Sequence, residues 1–469
     1  MAEIATLRRQ WLQHSACGFG MLAATSMMSR AGASLAAENT LHHFPRAKRI
    51  IFLFMQGGVS QVDSFDYKPL LKKRHGEKLT FDDARQLAKT GMRTEHHLMK
   101  SPWEFRQYGQ SGQWVSDLFP EVAAHVDDLC MLHGMHTEGV AHGPATLFLH
   151  CGATNFIRPS IGSWVYYGLG SESANLPGFV SIAPSIGNGG ARNYGNAFLP
   201  PQYQGTKVGS ITASELTIEN LDRHDISRQA QSQQIDFLNQ LNRLQLERRI
   251  AAAPELEAAL ESHELAWRMQ QFAPETLDLN QESARTLHLY GIDDPQTRTY
   301  GQRCLLARRL CEAGVRFIQV TYGDNSANPA WDQHSNIPKH AAHAAAVDKP
   351  ISGLLTDLKQ RGLLEDTIVW WGSEFGRTPY SQDNGTGRDH NPQGFTVWLA
   401  GGGFKPAYRH GETDEFGFQG ISGRVHMHDL HATLLHQLGI DHKRLVFEHA
   451  GRQFRLTDVH GQIVREIIA

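Results

Sequence analysis

Imidazole and carboxylate side chains stand beside short apolar runs at four places in this chain: His136 and His142, Asp332 and His334, Glu374, and Asp389 with His390. Asp332 and His334 lie two positions apart in a polar loop, Glu374 follows the apolar run at 367–371, and Asp389-His390 precedes the run at 395–400. Imidazole together with carboxylate suits zinc, manganese or iron, whereas sets made of oxygen alone suit calcium or magnesium. Clusters of this kind beside strand ends point to metal-assisted chemistry in a crevice, because open α/β sheets bind ligands outside the carboxyl ends of their strands. Asp389 is read either as a ligand or as the carboxylate that orients His390. His426, His428 and His431 share one helical face in part. A helix-face pair needs a third ligand to hold a metal, so capping and surface roles are expected for them.

The elements that must position these residues alternate between strands and helices. Residues 49–55 are a continuous apolar run ending at Gln56-Gly57-Gly58, as expected of a central parallel strand whose glycines turn the chain off its end. Residues 128–135 read as the next strand, and a helix begins at about Gly143, with Pro144 in its first turn. Further on, 300–313 reads as a helix, 315–321 as a strand, 339–361 as a helix, 367–371 as a strand and 426–438 as a last helix. That alternation argues for βαβ units and a parallel sheet. Residues 67–115 read as a polar surface excursion, and 155–210, rich in Gly, Pro, Ser and Asn, as loops with short strands. From 211 to 290, Ile235, Leu238, Leu241 and Leu244 recur at three-residue steps among Gln, Arg and Glu, which suggests a largely helical insertion.

Composition narrows the classes. With 469 residues, 41% hydrophobic and 20% charged, the chain is an ordinary globular protein. Its net charge of -3 carries no footprint of nucleic-acid binding. No glycine-rich dinucleotide fingerprint follows a strand. The five cysteines form no CxxC pair, so neither a zinc ribbon nor a disulfide framework is suggested. Arg8-Arg9 before Trp11-Leu12, a weakly apolar stretch at 16–28 and the small residues of Ser34-Leu35-Ala36 read as a twin-arginine export signal over residues 1–36. The mature protein, residues 45–469, is therefore expected in the periplasm or otherwise exported. No other run approaches the ~20 apolar residues that span a bilayer, so no integral membrane segment is expected after signal removal.

These motifs meet a known family. The segment from His142-Gly143-Pro144 to His150-Cys151-Gly152 resembles the sulfatase nucleophile motif, in which a Cys or Ser is followed two residues later by Pro and then by a helix. Ser373-Glu374-Phe375-Gly376 resembles the Ser-Asp-His-Gly turn of the alkaline phosphatase superfamily, and His390-Asn391-Pro392-Gln393-Gly394-Phe395 is similar to the segment carrying its late metal histidine. From residue 6 to 445 the chain resembles the bacterial exported, sulfatase-like family called domain of unknown function 1501. The marks are the run from Phe54-Met55-Gln56-Gly57-Gly58 to Ser60 and Asp63, Gly372-Ser373-Glu374-Phe375-Gly376-Arg377-Thr378, and Gly387-Arg388-Asp389-His390-Asn391-Pro392.

The resemblance implies an α/β fold like that of alkaline phosphatases and sulfatases, a three-layer sandwich with a central, largely parallel sheet and a helical insertion. It implies one metal held by Asp332, His334 and His390. At the places of the second metal's ligands and the nucleophile the chain has Gln56, His142, Glu374 and Phe375, so one ion is expected rather than two, zinc before calcium, manganese or iron. The implied function is an exported, metal-dependent hydrolysis of sulfate or phosphate esters by activated water. Glu374 or His142 would act as general base, and Arg377 or Arg388 would grip the anion, with Gln56 and Ser60 beside the substrate; an internal ion pair with Glu374 is the equal alternative for Arg377. The substrate is expected to be an anionic small molecule or glycan. The alternative is an inactive relative that binds an anionic glycan or a protein partner.

Overall fold

The computed structural model describes residues 41–81, 95–213, 215–219, 221, 226–248, 254–382 and 385–469. The expected export signal at 1–36 lies outside them. The main sheet has nine strands, here labelled β1 (Arg49–Met55), β2 (Leu129–His136), β3 (Phe179–Ile182), β4 (Thr206–Val208), β5 (Phe317–Tyr322), β6 (Thr367–Gly372), β7 (Phe395–Ala400), β8 (Tyr408–His410) and β9 (Val425–His426). Their order is β8-β2-β7-β6-β1-β5-β3-β4, with β9 also on β2. Every pairing is parallel except those of β7 with β6 and with β2. The sheet is thus largely parallel, with one reversed strand.

β1 lies between β5 and β6 and is covered on both faces, which is why its apolar run is continuous rather than alternating. Its side chains alternate between two cores, Ile51, Leu53 and Met55 on one face and Ile50, Phe52 and Phe54 on the other. The first face is covered by α5 (Arg298–Glu312) and α6 (His340–Gln360), the second by α1 (His142–Cys151), α2 (Ile161–Leu169) and α7 (Met427–Gln437). Helices on both faces of a parallel sheet make the expected three-layer α/β sandwich.

Two stretches read as loops contain more order. In 155–210, α2 is buried through Ile161, Trp164, Val165 and Tyr166 and ends at Gly170, whose φ is +66°. Its glycines masked it: Gly162 lies so close to Phe179 that a Cβ would stand 2.6 Å from the ring. In 67–115 a short helix at Pro69–Lys73 accompanies the hairpins Lys78–Thr80 with Glu95–His97 and Phe105–Tyr108 with Gln113–Ser116. Within 211–290 lie α3 (Arg228–Arg248) and α4 (Pro254–Leu277), and Met269 and Ala273 of α4 reach the core. Among the described residues, no helix is long and apolar enough to cross a membrane. Cys130, Cys151, Cys304 and Cys311 are free and buried.

Candidate metal centre

The carboxyl ends of β1, β2, β5 and β6 lie at one end of the sheet. His142 opens α1 after β2, Asp332 and His334 lie in the loop after β5, and Glu374 follows β6. His390 is on Arg388–Asn391, which pairs antiparallel with Gly376–Ser381 and is thereby folded back over the sheet end. The turn after β1 brings these parts together. Gly57 and Gly58 adopt φ of +118° and +78°, a region that glycine enters without strain. The Gly57 N–H donates to both Glu374 oxygens, at 3.0 and 3.1 Å.

Asp332, His334 and His390 are brought together, and His142 joins them: one ligand atom from each of the four lies within 4.8 Å of the others. Nε2 of His334 and His390 are 2.9 Å apart, and they lie 2.9 and 3.3 Å from Asp332 Oδ1. His142 Nε2 is 3.2 Å from Asp332 Oδ2, and neither of those two buried atoms has a hydrogen-bond partner. The opposite ring nitrogens explain the convergence. Nδ1 of His142 donates to Glu374 Oε1 at 2.5 Å, Nδ1 of His390 donates to the Val140 carbonyl at 2.7 Å, and Nδ1 of His334 donates to Gln382 Oε1. With each Nδ1 proton committed to an acceptor, every neutral ring presents an Nε2 lone pair to the same point. Three lone pairs and a carboxylate face one another there, a set that fits a cation, and such Nδ1 partners are what orients metal-binding histidines.

Electrostatics follow from the same contacts. Burial opposes charge on Asp332, but the close approach of the His142, His334 and His390 rings and the charge of Arg377 hold its carboxylate far below the usual range. Burial also opposes charge on His142, yet the nearby carboxylates of Asp332 and Glu374 raise its pKa above the ordinary 6.5. His390 is driven well below that value by burial, with Arg377 and the neighbouring rings adding to the effect. The centre therefore keeps Asp332 ionised and His390 neutral.

Several expected roles do not match these placements. The Arg388 guanidinium is fully buried and donates to Asp63 at 2.7 and 3.0 Å and to the Thr378 and Met99 carbonyls, so it has no face for a substrate. Arg377 is also fully buried, bonded to Asp332 Oδ1 at 2.7 Å and to the carbonyls of Gly57, Gly58 and Arg388. It pairs with Asp332 rather than gripping an anion. Ser60 Oγ donates to Asp63 at 2.5 Å, and the buried Gln56 amide packs against Gly323, so neither belongs to the ligand group. Glu374 is fully buried, accepts from Gly57 and His142 and lies 2.9 Å from the Ser373 hydroxyl, so it faces the His142 ring rather than solvent. Phe375 stacks near His390 and His142, with ring centroids 4.4 and 5.0 Å away, and fills the space beside them.

Asp389 sits 3.6 Å from His334 Nδ1, and its Oδ1 accepts from the His390 backbone N–H at 2.7 Å; it supports the loop rather than the His390 ring. His426 caps α7 by accepting from the His428 N–H at 3.3 Å, as expected, whereas His428 and His431 are buried rather than at the surface. Sequence reasoning missed Gln382 and the Val140 carbonyl. The only local signal for Gln382 was a polar loop, and a carbonyl carries no sequence signal at all.

The chain belongs to the family described as "Protein of unknown function (DUF1501)", which it matches over residues 47–468. No curated protein matches it. Among solved structures it is similar to the alkaline phosphatase of the Antarctic bacterium TAB5, at 12% identity over 84% of this chain and 98% of that one, with a TM-score of 0.32. A lipoteichoic acid synthase from Listeria monocytogenes is 9% identical over 91% of this chain and 78% of its own, with a TM-score of 0.36. A sulfatase from Pseudoalteromonas sp. is 11% identical over 87% and 74%, with a TM-score of 0.35.

Proposed function

We propose that this protein is an exported, metal-dependent hydrolase of sulfate or phosphate esters that works with one divalent ion. The observation that carries the reading is the convergence of three imidazole lone pairs and one carboxylate, each imidazole held by an acceptor on its far side. His142, Asp332, His334 and His390 would hold the ion. A set of three imidazoles and one carboxylate favours zinc, accommodates manganese or iron, and disfavours calcium. When bound, such an ion activates water and polarises an ester oxygen.

The chain's own residues supply the rest. Glu374 orients His142, Val140 orients His390, and Gln382 orients His334. His142 stands where the resembling motif has a Ser or Cys, so no side-chain nucleophile is supplied at the start of α1, and direct attack by water is the reading that fits. His334, with 23% of its side chain exposed, is the ligand that solvent and substrate reach. Export through the twin-arginine route is supported by Arg8-Arg9 and Ser34-Leu35-Ala36 and belongs to the same proposal.

Metal analysis of the purified protein tests this reading. One ion per chain is expected, and His390→Ala should remove both the ion and the hydrolysis of aryl sulfate or phosphate esters. Activity that survives complete loss of the ion would sink the mechanism. A second reading, a fold that binds an anionic glycan or a protein partner without turnover, draws on the mutual commitment of Glu374 and His142, the two residues expected to act as base. Zero metal, with none taken up on soaking, would select it.

A further inference from the structure

Arg377 is the cation nearest the ligand group, and its side chain is 0% exposed. Nη2 lies 2.7 Å from Asp332 Oδ1, the same oxygen that faces His334 Nε2 at 2.9 Å and His390 Nε2 at 3.3 Å. Its remaining donors go to backbone carbonyls: Nε to Gly58 at 2.9 Å, Nη1 to Arg388 at 3.2 Å, and Nη2 to Gly57 and Trp331. Because the side chain is fully buried, none of its donors reaches a substrate. The charges around the group are Asp332 and Arg377 in direct contact, Glu374 reached through His142, and Asp389 beside His334. Arg388 is cancelled by Asp63. Asp332 is the one anionic ligand, and a buried guanidinium neutralises it.

We infer that Arg377 acts through Asp332 by offsetting its charge, which raises the affinity of the divalent centre for an oxyanion, the sulfate or phosphate group itself. This rests on the metal reading above. A positive charge this close to a cation site weakens the site's hold on the cation and strengthens its hold on an anion. At these distances in a partly buried site the Coulomb terms are large enough to change either affinity by about tenfold or more. A purely structural role would have the opposite effect on the metal: losing Arg377 would loosen the site.

The test uses Co(II) as a spectroscopic ion and inorganic phosphate as the anion. Arg377→Gln should bind Co(II) at least tenfold more tightly than the unmodified protein and bind phosphate at least tenfold more weakly, while Arg377→Lys stays within a few-fold of the unmodified protein in both. A folded Arg377→Gln that binds Co(II) equally or more weakly overturns the inference. Because the guanidinium ties three turns together, a second measurement avoids the substitution. Phosphate should perturb the Co(II) spectrum of the unmodified protein at least tenfold more tightly than the neutral ester triethyl phosphate, and equal binding of the two overturns the inference. If the unmodified protein takes up no Co(II), the metal reading falls with it; if Co(II) binds and only these differences fail, the metal reading stands.

Discussion

At the scale of single residues, the centre depends on what lies behind each imidazole. Glu374 is the clearest case. Its carboxylate is a fixed acceptor for the His142 Nδ1–H at 2.5 Å, itself held by the Gly57 N–H, so it sets both the tautomer and the direction of Nε2. Replacing it by Gln keeps the shape but substitutes a neutral amide whose NH2 group opposes two donors. Glu374→Gln is expected to weaken metal affinity about 10–100-fold with the fold intact. Competition against a chelator of known strength measures this, and an unchanged affinity would show that Glu374 does not position His142. The types of the candidate ligands Asp332, His334 and His390 were readable from the sequence. His142 was read as a base, because nothing local tells whether an imidazole offers Nδ1 or Nε2.

Among the elements, the turn after β1 and the hairpin carrying His390 do most to assemble the site. A Cβ at Gly57 would stand 2.7 Å from the Asp332 amide nitrogen and 2.8 Å from the Pro329 carbonyl oxygen, both backbone atoms that cannot rotate away. With φ at +118°, Gly57→Ala is also strained in its own right. The substitution should cost about 1–3 kcal/mol of stability. It should also weaken metal binding at least tenfold, because the loop carrying Asp332 must move. Thermal melts with and without zinc check both parts, and a variant that melts and binds like the original would refute the packing argument. The elements themselves were largely legible: Arg49–Met55 and Phe395–Ala400 are strands where the apolar runs predicted them. α2 was not, since its burial depends on Phe179 lying against Gly162, a contact no local pattern contains.

For the whole molecule, the many buried histidines make stability depend on acid. His133, His150 and His431 are each driven by burial from 6.5 to about 4. An unfolded chain binds protons at these rings below pH 6.5, and the folded chain binds them only near pH 4. Their contribution is therefore fully present above pH 6.5 and is lost as pH falls from 6.5 to about 4. The melting temperature should drop steeply across that window, and a flat profile from pH 7 to pH 4 would contradict it. The sequence by itself determined the α/β class, the strand runs, and the imidazole and carboxylate types at the strand ends. Those follow from periodicity, turn chemistry and residue identity, which are properties of neighbouring positions. Only the tertiary structure decided that His142 faces Glu374 across 232 positions, and that Arg377 and Arg388 are buried against Asp332 and Asp63 rather than open to an anion. The physical reason is that a ring's tautomer and a guanidinium's partner are set by whichever distant acceptor the fold brings within hydrogen-bonding distance.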